Sequence, residues 1–403
     1  MQNTTETVMG ANPKLNDLQI FLNENFDFRY NVLTDMPECK PKNTNTYRMI
    51  DKRMMNTLSF EAMMDGVDCK DADVKRFLFS ERIPTHHPFK DYIDGLPEWD
   101  GTDRVTTLAA RVSGKAMWIN GFHRWMLGMV AQWLGYPARC ANALAPILIS
   151  TEQGMCKSTF CSMLLPEELR PYYTDKFAIT STSGCEQKIS TFGLINMDEF
   201  NQYNERMMTI LKNLMQMKKV NYRKCFKAYY SDLPRIASFI GTSNEKALLT
   251  DETGSRRFLC IEVEKPIDCS PIEYTQLYAQ LKKELEDGKR YWLTKEEELE
   301  IQENNQDFYK QSTEEEVFFK VFRLPKEGEP FVKMTASSIF DMLQKRYPAL
   351  MRGANVRQFG KVLCHIGAKK IRSSIGSMYE VVLVRRSVKP ATEVETTELK
   401  QVG

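Results

Sequence analysis

The 403-residue sequence has no run approaching the roughly 18 uninterrupted apolar residues of a membrane-spanning helix. Its opening, MQNTTETVMGANPK, lacks the basic stretch followed by an apolar one that marks a secretory leader. The chain therefore reads as cytoplasmic, with no membrane partner and with its ten cysteines reduced. None of those cysteines forms a CxxC pair, and the four histidines (86, 87, 123 and 365) show no HExxH spacing, which argues against a zinc centre. Excess charge is also scarce, with 55 Lys and Arg against 53 Asp and Glu. What is present is apolar mass: 42% hydrophobic residues, including 22 Phe, 16 Tyr and 5 Trp, enough to build cores and to exclude disorder throughout. The length suits roughly two or three domains.

The near-neutral total hides strong local imbalances. Residues 284–316 carry twelve acidic and four basic side chains, whereas 333–389 carry twelve basic and two acidic ones. A second basic stretch, 205–246, has nine Lys or Arg (206, 212, 218, 219, 223, 224, 227, 235 and 246) against three acids. Two separated basic surfaces imply a polyanionic partner.

Residues 1–25 read as a loose N-terminal segment. Residues 26–100 form a small α+β domain, with an alternating strand at Phe26–Leu33 and short helices at 54–64 and 72–79, closed by the Gly/Pro/Asp-rich joint at 94–101. Residues 101–290 are the α/β core with a preceding helical region. Its apolar stripe (Leu108, Val112, Trp118, Phe122, Trp125, Met129, Trp133) has the spacing of one buried helical face. Residues 291–330 are an acidic connector with a capping box at Thr294 and Glu297, 331–386 a basic domain, and 387–403 a disordered tail.

The chemistry lies in the core. Ala145–Ser150 suits a buried strand and runs into Thr151-Glu152-Gln153-Gly154-Met155-Cys156-Lys157-Ser158-Thr159. A strand, a tight loop and Lys-Ser-Thr opening a helix form the context of a phosphate-binding P-loop. There backbone N–H groups from Gly154 to Thr159, Met155 and Cys156 included, cradle ATP phosphates, Lys157 reaches the β and γ phosphates, and the Ser158 hydroxyl binds Mg²⁺. Thr151 and Cys156 stand where G-x-x-x-x-G-K-[ST] has glycines. About forty residues on, the segment Thr191–Phe200 has an apolar strand ending in Asp198-Glu199, placing one carboxylate beside Mg²⁺ and the other where it polarises attacking water. A further buried strand, Ile236–Ser243, ends in Asn244, an amide suited to orienting that water. Arg256 and Arg257 then supply guanidiniums for charge on the phosphate of a neighbouring subunit. The competing readings are strand-end acids, a turn asparagine, and an arginine pair bound to Asp251 and Glu252. Cys156 and Cys161 read as neutral thiols rather than redox sensors.

These motifs, with HPFKDY (87–92), LPEWDG (96–101) and TGSRRF (253–258), resemble the virulence-associated protein E family. Its ATPase core is similar to AAA+ superfamily III helicases of phages, plasmids and other mobile elements. The resemblance implies nucleotide contact by Gly154, Lys157, Ser158 and Thr159, Walker B roles for Asp198 and Glu199, sensor 1 at Asn244, and a trans-acting finger at Arg256 or Arg257. It also implies a homo-oligomeric ring, a possible primase partner, and a pore hairpin between the Walker B strand and sensor 1. Lys218, Lys219, Arg223, Lys224 and Lys227 fall in that hairpin, interleaved with Tyr222, Phe226, Tyr229 and Tyr230, a pattern suited to phosphate contact and base stacking on DNA.

Near the C-terminus, Thr335 and Asn355 are caps for helices at 336–347 and 356–366, followed by a hairpin about Gly376. Helix, helix and hairpin with positive charge look like a winged helix presenting Arg357, Gln358 and Lys361 to DNA. The sequence thus points to a DNA-dependent ATPase or helicase-like motor of a mobile element. A nucleotide-gated DNA-binding scaffold and a winged-helix transcriptional regulator are the alternatives.

Overall fold

The computed structural model describes residues 13–136, 140–179, 182–222, 231–249, 255–373 and 376–384. It comprises two compact units, Met1–Tyr309 and Lys310–Gly403.

The first unit opens with helix α1 (Pro13–Asn25), strands β1 (Phe26–Asn31), β2 (Met36–Pro41) and β3 (Arg48–Met49), helices α2 (Lys52–Met64) and α3 (Asp71–Leu78), and strand β4 (Thr85–His86). The sheet order is β3-β2-β1-β4, with β4 parallel to β1 and the other pairings antiparallel. Residues 13–25, expected to be loose, are helical instead. Leu18, Phe21 and Leu22 recur at helical spacing and are buried in one core with Phe28, Leu58 and Phe77, so packing overrides the polar composition around them.

Helices α4 (Pro88–Asp94), α5 (Arg104–Ala110) and α6 (Ala116–Leu134) follow. Every member of the predicted apolar stripe, from Leu108 on α5 through Val112 in the joint to Trp133 on α6, is buried. His87 is the N-cap of α4, accepting from the Lys90 N–H, with Pro88 at the first helical position. The cap aims Phe89 into the core, where it stacks on Trp133 with centroids 4.6 Å apart. The Phe89 ring also crosses Gly193 so closely that a β-carbon there would lie 2.1 Å from it, which makes this residue a glycine.

The core then runs β5 (Ala145–Ile149), α7 (Lys157–Ser162), β6 (Tyr173–Thr174), α8 (Thr182–Thr191), β7 (Leu194–Met197), α9 (Glu205–Gln216), β8 (Lys219–Tyr222), β9 (Ser231–Pro234), β10 (Ser238–Ser243), β11 (Phe258–Glu262), α10 (Tyr274–Glu286) and α11 (Lys295–Asn304). Strands β8 and β9 pair as an antiparallel hairpin. The other five form a sheet in the order β11-β5-β10-β7-β6, every pairing parallel. Strands β5, β7 and β10 are buried along their whole length, as expected of a sheet covered on both faces. Alternation assigns the faces: Leu148 joins the cluster of α6, α7 and α10, while Ile147 and Ile149 join that of α8 and α9. The result is a mixed α/β fold around a parallel sheet.

The second unit contains α12 (Thr313–Val321), β12 (Phe322–Arg323), β13 (Val332–Thr335), α13 (Ala336–Arg346), α14 (Val356–His365), β14 (Lys370–Ser373) and β15 (Gly376–Leu383). Strand β15 pairs antiparallel with β12, β13 and β14. Thr335 and Asn355 cap α13 and α14 through side chains that accept from Ser338 and Gln358 N–H groups. The stretch expected as an acidic connector is divided between the units. Residues 295–304 are α11 of the first, while Val317, Phe318, Val321 and Phe322 belong to the core of the second. Acidic residues crowd the first turns of both helices, where they complement the helix dipole, and this concentrates negative charge in segments that are nonetheless packed. Among the described residues no helix is long and apolar enough to cross a membrane.

Candidate functional site

Parallel strands deliver their C-terminal ends to one edge of the sheet, where ligands of open α/β folds bind. Three neighbouring strands place the predicted residues there: β5 leads to the loop before Lys157, β7 to Asp198 and Glu199, and β10 to Asn244.

Lys157 is only 8% exposed, and its Nζ donates to the Ser150 carbonyl and to Asn244 Oδ1, each at 3.0 Å. Burial pushes its ammonium below the ordinary value while Asp198 pulls it upward. A charge desolvated in this way attracts a nearby anion more strongly than that of a solvated lysine. Ser158 Oγ donates to Asp198 Oδ1 at 3.2 Å, and Thr242 Oγ1 donates to the same carboxylate oxygen. A hydroxyl and a carboxylate side by side fit Mg²⁺, which takes few protein ligands and completes its shell with water and phosphate oxygens. Glu199 is exposed next to this pair, and Gln202 Nε2 holds its Oε2 at 2.6 Å.

The backbone is strained where these groups converge. Among the described residues three non-glycine residues have positive φ, and two of them are Cys156 (φ 58) and Glu199 (φ 52). Cys156 thus adopts the left-handed conformation of a glycine, at a cost on the order of 1 kcal/mol. Gly154 has φ 77 and supplies the loop's other left-handed turn. Met155 faces inward, buried in the core, while its carbonyl accepts from the Ile267 N–H at 3.3 Å, so this residue anchors the loop. Ser158 and Thr159 are exposed on the first turn of α7.

The two arginines do not join this cluster. Phe258 pairs with Ala145 and Glu262 with Ile149, so Arg256 and Arg257 precede the sheet's opposite edge, roughly 13 Å of strand away from the loop. Arg256 Nη1 bonds Glu298 Oε2 at 3.0 Å, while Asp251 and Glu252 lie outside the described residues. Both arginines and Lys218 line a cavity of about 340 Å³ together with Trp292 and Glu298. Lys218 and Lys219 are exposed at the foot of the β8–β9 hairpin, and Arg223, Lys224 and Lys227 lie outside the described residues. In the second unit Arg357, Gln358 and Lys361 share the exposed face of α14, opposite buried Phe359 and Leu363.

Two residues of this architecture escape the sequence reading. Thr242 carries no motif signal, since only the register of β10 against β7 brings it to Asp198. Arg235, counted among the surface cations, is instead fully buried. Its guanidinium donates to the carbonyls of Leu214, Met215 and Asn142 and to Gln132 Oε1, and burial pushes its pKa down to about 9.

The virulence-associated protein E-like domain family matches residues 93–310, more than half of the chain. The chain belongs to this family. The family region spans the core sheet and every residue of the Lys157 cluster. A domain of unknown function, DUF3874, matches residues 311–381, which make up most of the second unit. Two solved structures are similar at low identity. The apo structure of the NrS-1 C-terminal region (305–718) has a TM-score of 0.47 and 13% identity, covering 93% of this chain and 100% of that one. The A-form apo structure of the same region has 0.46 and 13%, covering 92% and 99%. No curated protein matches the chain.

Proposed function

We propose that the chain is a DNA-dependent ATPase, a helicase-like motor of the P-loop AAA+/superfamily III type acting in replication of a mobile element. The observation that carries this reading is the convergence of Lys157, Asp198 and Asn244 at the ends of three adjacent parallel strands. In this reading the loop from Gly154 and the start of α7 hold the phosphates of ATP, with Lys157 on the β and γ groups. Ser158 and Asp198 hold Mg²⁺, whose chemistry is to neutralise phosphate charge. Glu199, steadied by Gln202, polarises the attacking water, and Asn244 orients it.

Arg256 and Arg257, at the far edge of the sheet, serve the site of a neighbouring subunit, which makes a homo-oligomeric ring part of the proposal. DNA is gripped by the β8–β9 hairpin through Lys218 and Lys219, joined by Arg223, Lys224 and Lys227 from the sequence between its strands, and by a winged-helix-like second unit through Arg357 and Lys361. Membership of the virulence-associated protein E-like family supports the mobile-element setting, and a primase partner belongs to the same proposal.

Cys156 supports a second reading. A side chain where the loop conformation favours glycine suits a nucleotide-gated DNA-binding scaffold that turns ATP over slowly. The test is ATP hydrolysis with and without single-stranded DNA, alongside Lys157→Ala and Glu199→Gln. DNA-stimulated hydrolysis lost in both variants is the expected result. Saturable ATP binding without turnover favours the scaffold, and hydrolysis unchanged in Lys157→Ala overturns the motor.

A further inference from the structure

The cavity of about 340 Å³ lined by Lys218, Arg256 and Arg257 opens among residues just before β5 and β11, at the edge of the sheet opposite the Lys157 cluster. Its size is that of a small-ligand pocket with room for one nucleotide. The three cations face a single carboxylate in the lining, Glu298, which is paired with Arg256 at 3.0 Å. Tyr291 and Trp292, both half-buried, add an aromatic corner in which the rings meet edge to face with centroids 5.3 Å apart.

Three polar side chains fix these parts of the lining. Arg235, fully buried, donates to the Asn142 carbonyl at 2.9 Å, and its backbone N–H donates to the Lys218 carbonyl at 3.1 Å, so it ties together two stretches that line the cavity. Asn305, also fully buried, donates to the carbonyls of Ser255 and Phe258 at 2.9 and 2.8 Å, clamping the turn that carries Arg256 and Arg257. Arg290 donates to the Trp292 carbonyl and to both oxygens of Glu297, the residue that completes the capping box of α11. Walls held in this way lower the ordering cost of binding.

Aromatic rings beside ammonium and guanidinium groups suit a nucleotide, whose base stacks while its phosphate meets the cations. Lys218 leads directly into Lys219 and the β8–β9 hairpin, so a strand that follows the hairpin is continuous with the cavity. We propose that this cavity binds one nucleotide of single-stranded DNA, with the base against Trp292 and Tyr291 and the phosphate at Lys218 and Arg257. The site stands on the cavity, while its part in turnover rests on the motor reading above. In that reading the bound strand sets the position of the two arginines that serve the neighbouring subunit, which couples DNA contact to hydrolysis.

The test is photo-crosslinking of the full chain to an oligothymidylate carrying 4-thiothymidine, followed by peptide mapping. Anisotropy titrations accompany it, with labelled oligothymidylate and with an abasic strand of the same length. The expected result is a cross-link in the peptide containing Tyr291 and Trp292. Trp292→Ala should bind oligothymidylate about tenfold more weakly, the scale of one lost stacking contact, and the abasic strand as wild type does. Trp292→Phe keeps a ring and should stay within about threefold of wild type on both strands. Cross-links confined to other peptides overturn the site, as does a Trp292→Ala chain with a wild-type thermal melt that binds both strands unchanged or loses both equally. Cross-linking by free 4-thiothymidine monophosphate but not by the strand overturns the assignment to DNA. A cross-link at Trp292 in a chain that hydrolyses no ATP upholds the site and overturns the motor, whereas DNA-stimulated hydrolysis without that cross-link does the reverse.

Discussion

The ammonium of Lys157 donates to the side-chain oxygen of Asn244 across 3.0 Å, linking residues 87 positions apart in sequence. This contact ties the start of α7 to the end of β10. Replacing Asn244 by alanine removes an acceptor from a buried charge, and bonds to charged groups contribute about 1.5–3 kcal/mol. Asn244→Ala should therefore lower the hydrolysis rate by roughly 10²-fold, with a smaller change in ATP affinity. Asn244→Asp should weaken ATP binding as well, because a carboxylate then faces the γ-phosphate. Hydrolysis by Asn244→Ala within twofold of wild type would show that the contact is idle.

His87 predicts how stability follows pH. Burial, with Lys90 and His86 adding to it and Asp91 opposing, pushes its imidazole down to about 4, so the ring is neutral when it caps α4. A base whose pKa is depressed on folding binds more protons in the unfolded chain below about pH 6.5. Its contribution is complete above that pH and is lost as pH falls toward 4, amounting to about 2–3 kcal/mol. His87→Asn keeps a capping side chain without the titration. Thermal melts from pH 7 to 4.5 should show a steeper loss for wild type than for the variant, and parallel curves would refute the assignment.

Both sites show what a sequence reveals. The gathering of Lys157, Asp198 and Asn244 at one edge of the sheet is legible because each follows a short apolar strand. The helices α13 and α14 are legible because their caps, Thr335 and Asn355, announce them. Contacts that depend on register or chain return are not. Thr242 meets Asp198 only through tertiary structure. Composition also misleads at α1 and α12, where polar and acidic residues surround the few apolar positions that pack.

Arg235 is the strongest case, since charge counting places it on the surface and folding buries it completely. Its guanidinium binds the last carbonyls of α9, and its backbone N–H donates to the Lys218 carbonyl, so it fixes the foot of the β8–β9 hairpin. Arg235→Met strands several buried acceptors, and a loss of about 3–5 kcal/mol is expected in the urea unfolding of the first unit. Lys219→Met, at an exposed position of the same hairpin, should change stability by less than about 0.5 kcal/mol. Equal, small effects of the two changes would mean that the guanidinium network does not anchor the hairpin.

The arginines at the far edge yield the most direct test of assembly. Because roughly 13 Å of strand separates Arg256 and Arg257 from the loop that follows β5 in the same chain, neither reaches it without leaving its place before β11. A site completed in trans predicts complementation. The double variant Arg256→Ala/Arg257→Ala has intact loops and no fingers, whereas Lys157→Ala has fingers and no working loop. Each should hydrolyse ATP at least 10³-fold more slowly than wild type, the loss expected when an arginine finger is removed. Mixed, they form interfaces in which one subunit's Lys157 faces the other's arginines, so activity should recover toward the fraction of such interfaces. Single-turnover hydrolysis across mixing ratios measures this directly. A mixture no more active than the sum of its parts, at concentrations where the chains associate, would place the arginines outside the reaction and leave Arg256 as the surface partner of Glu298.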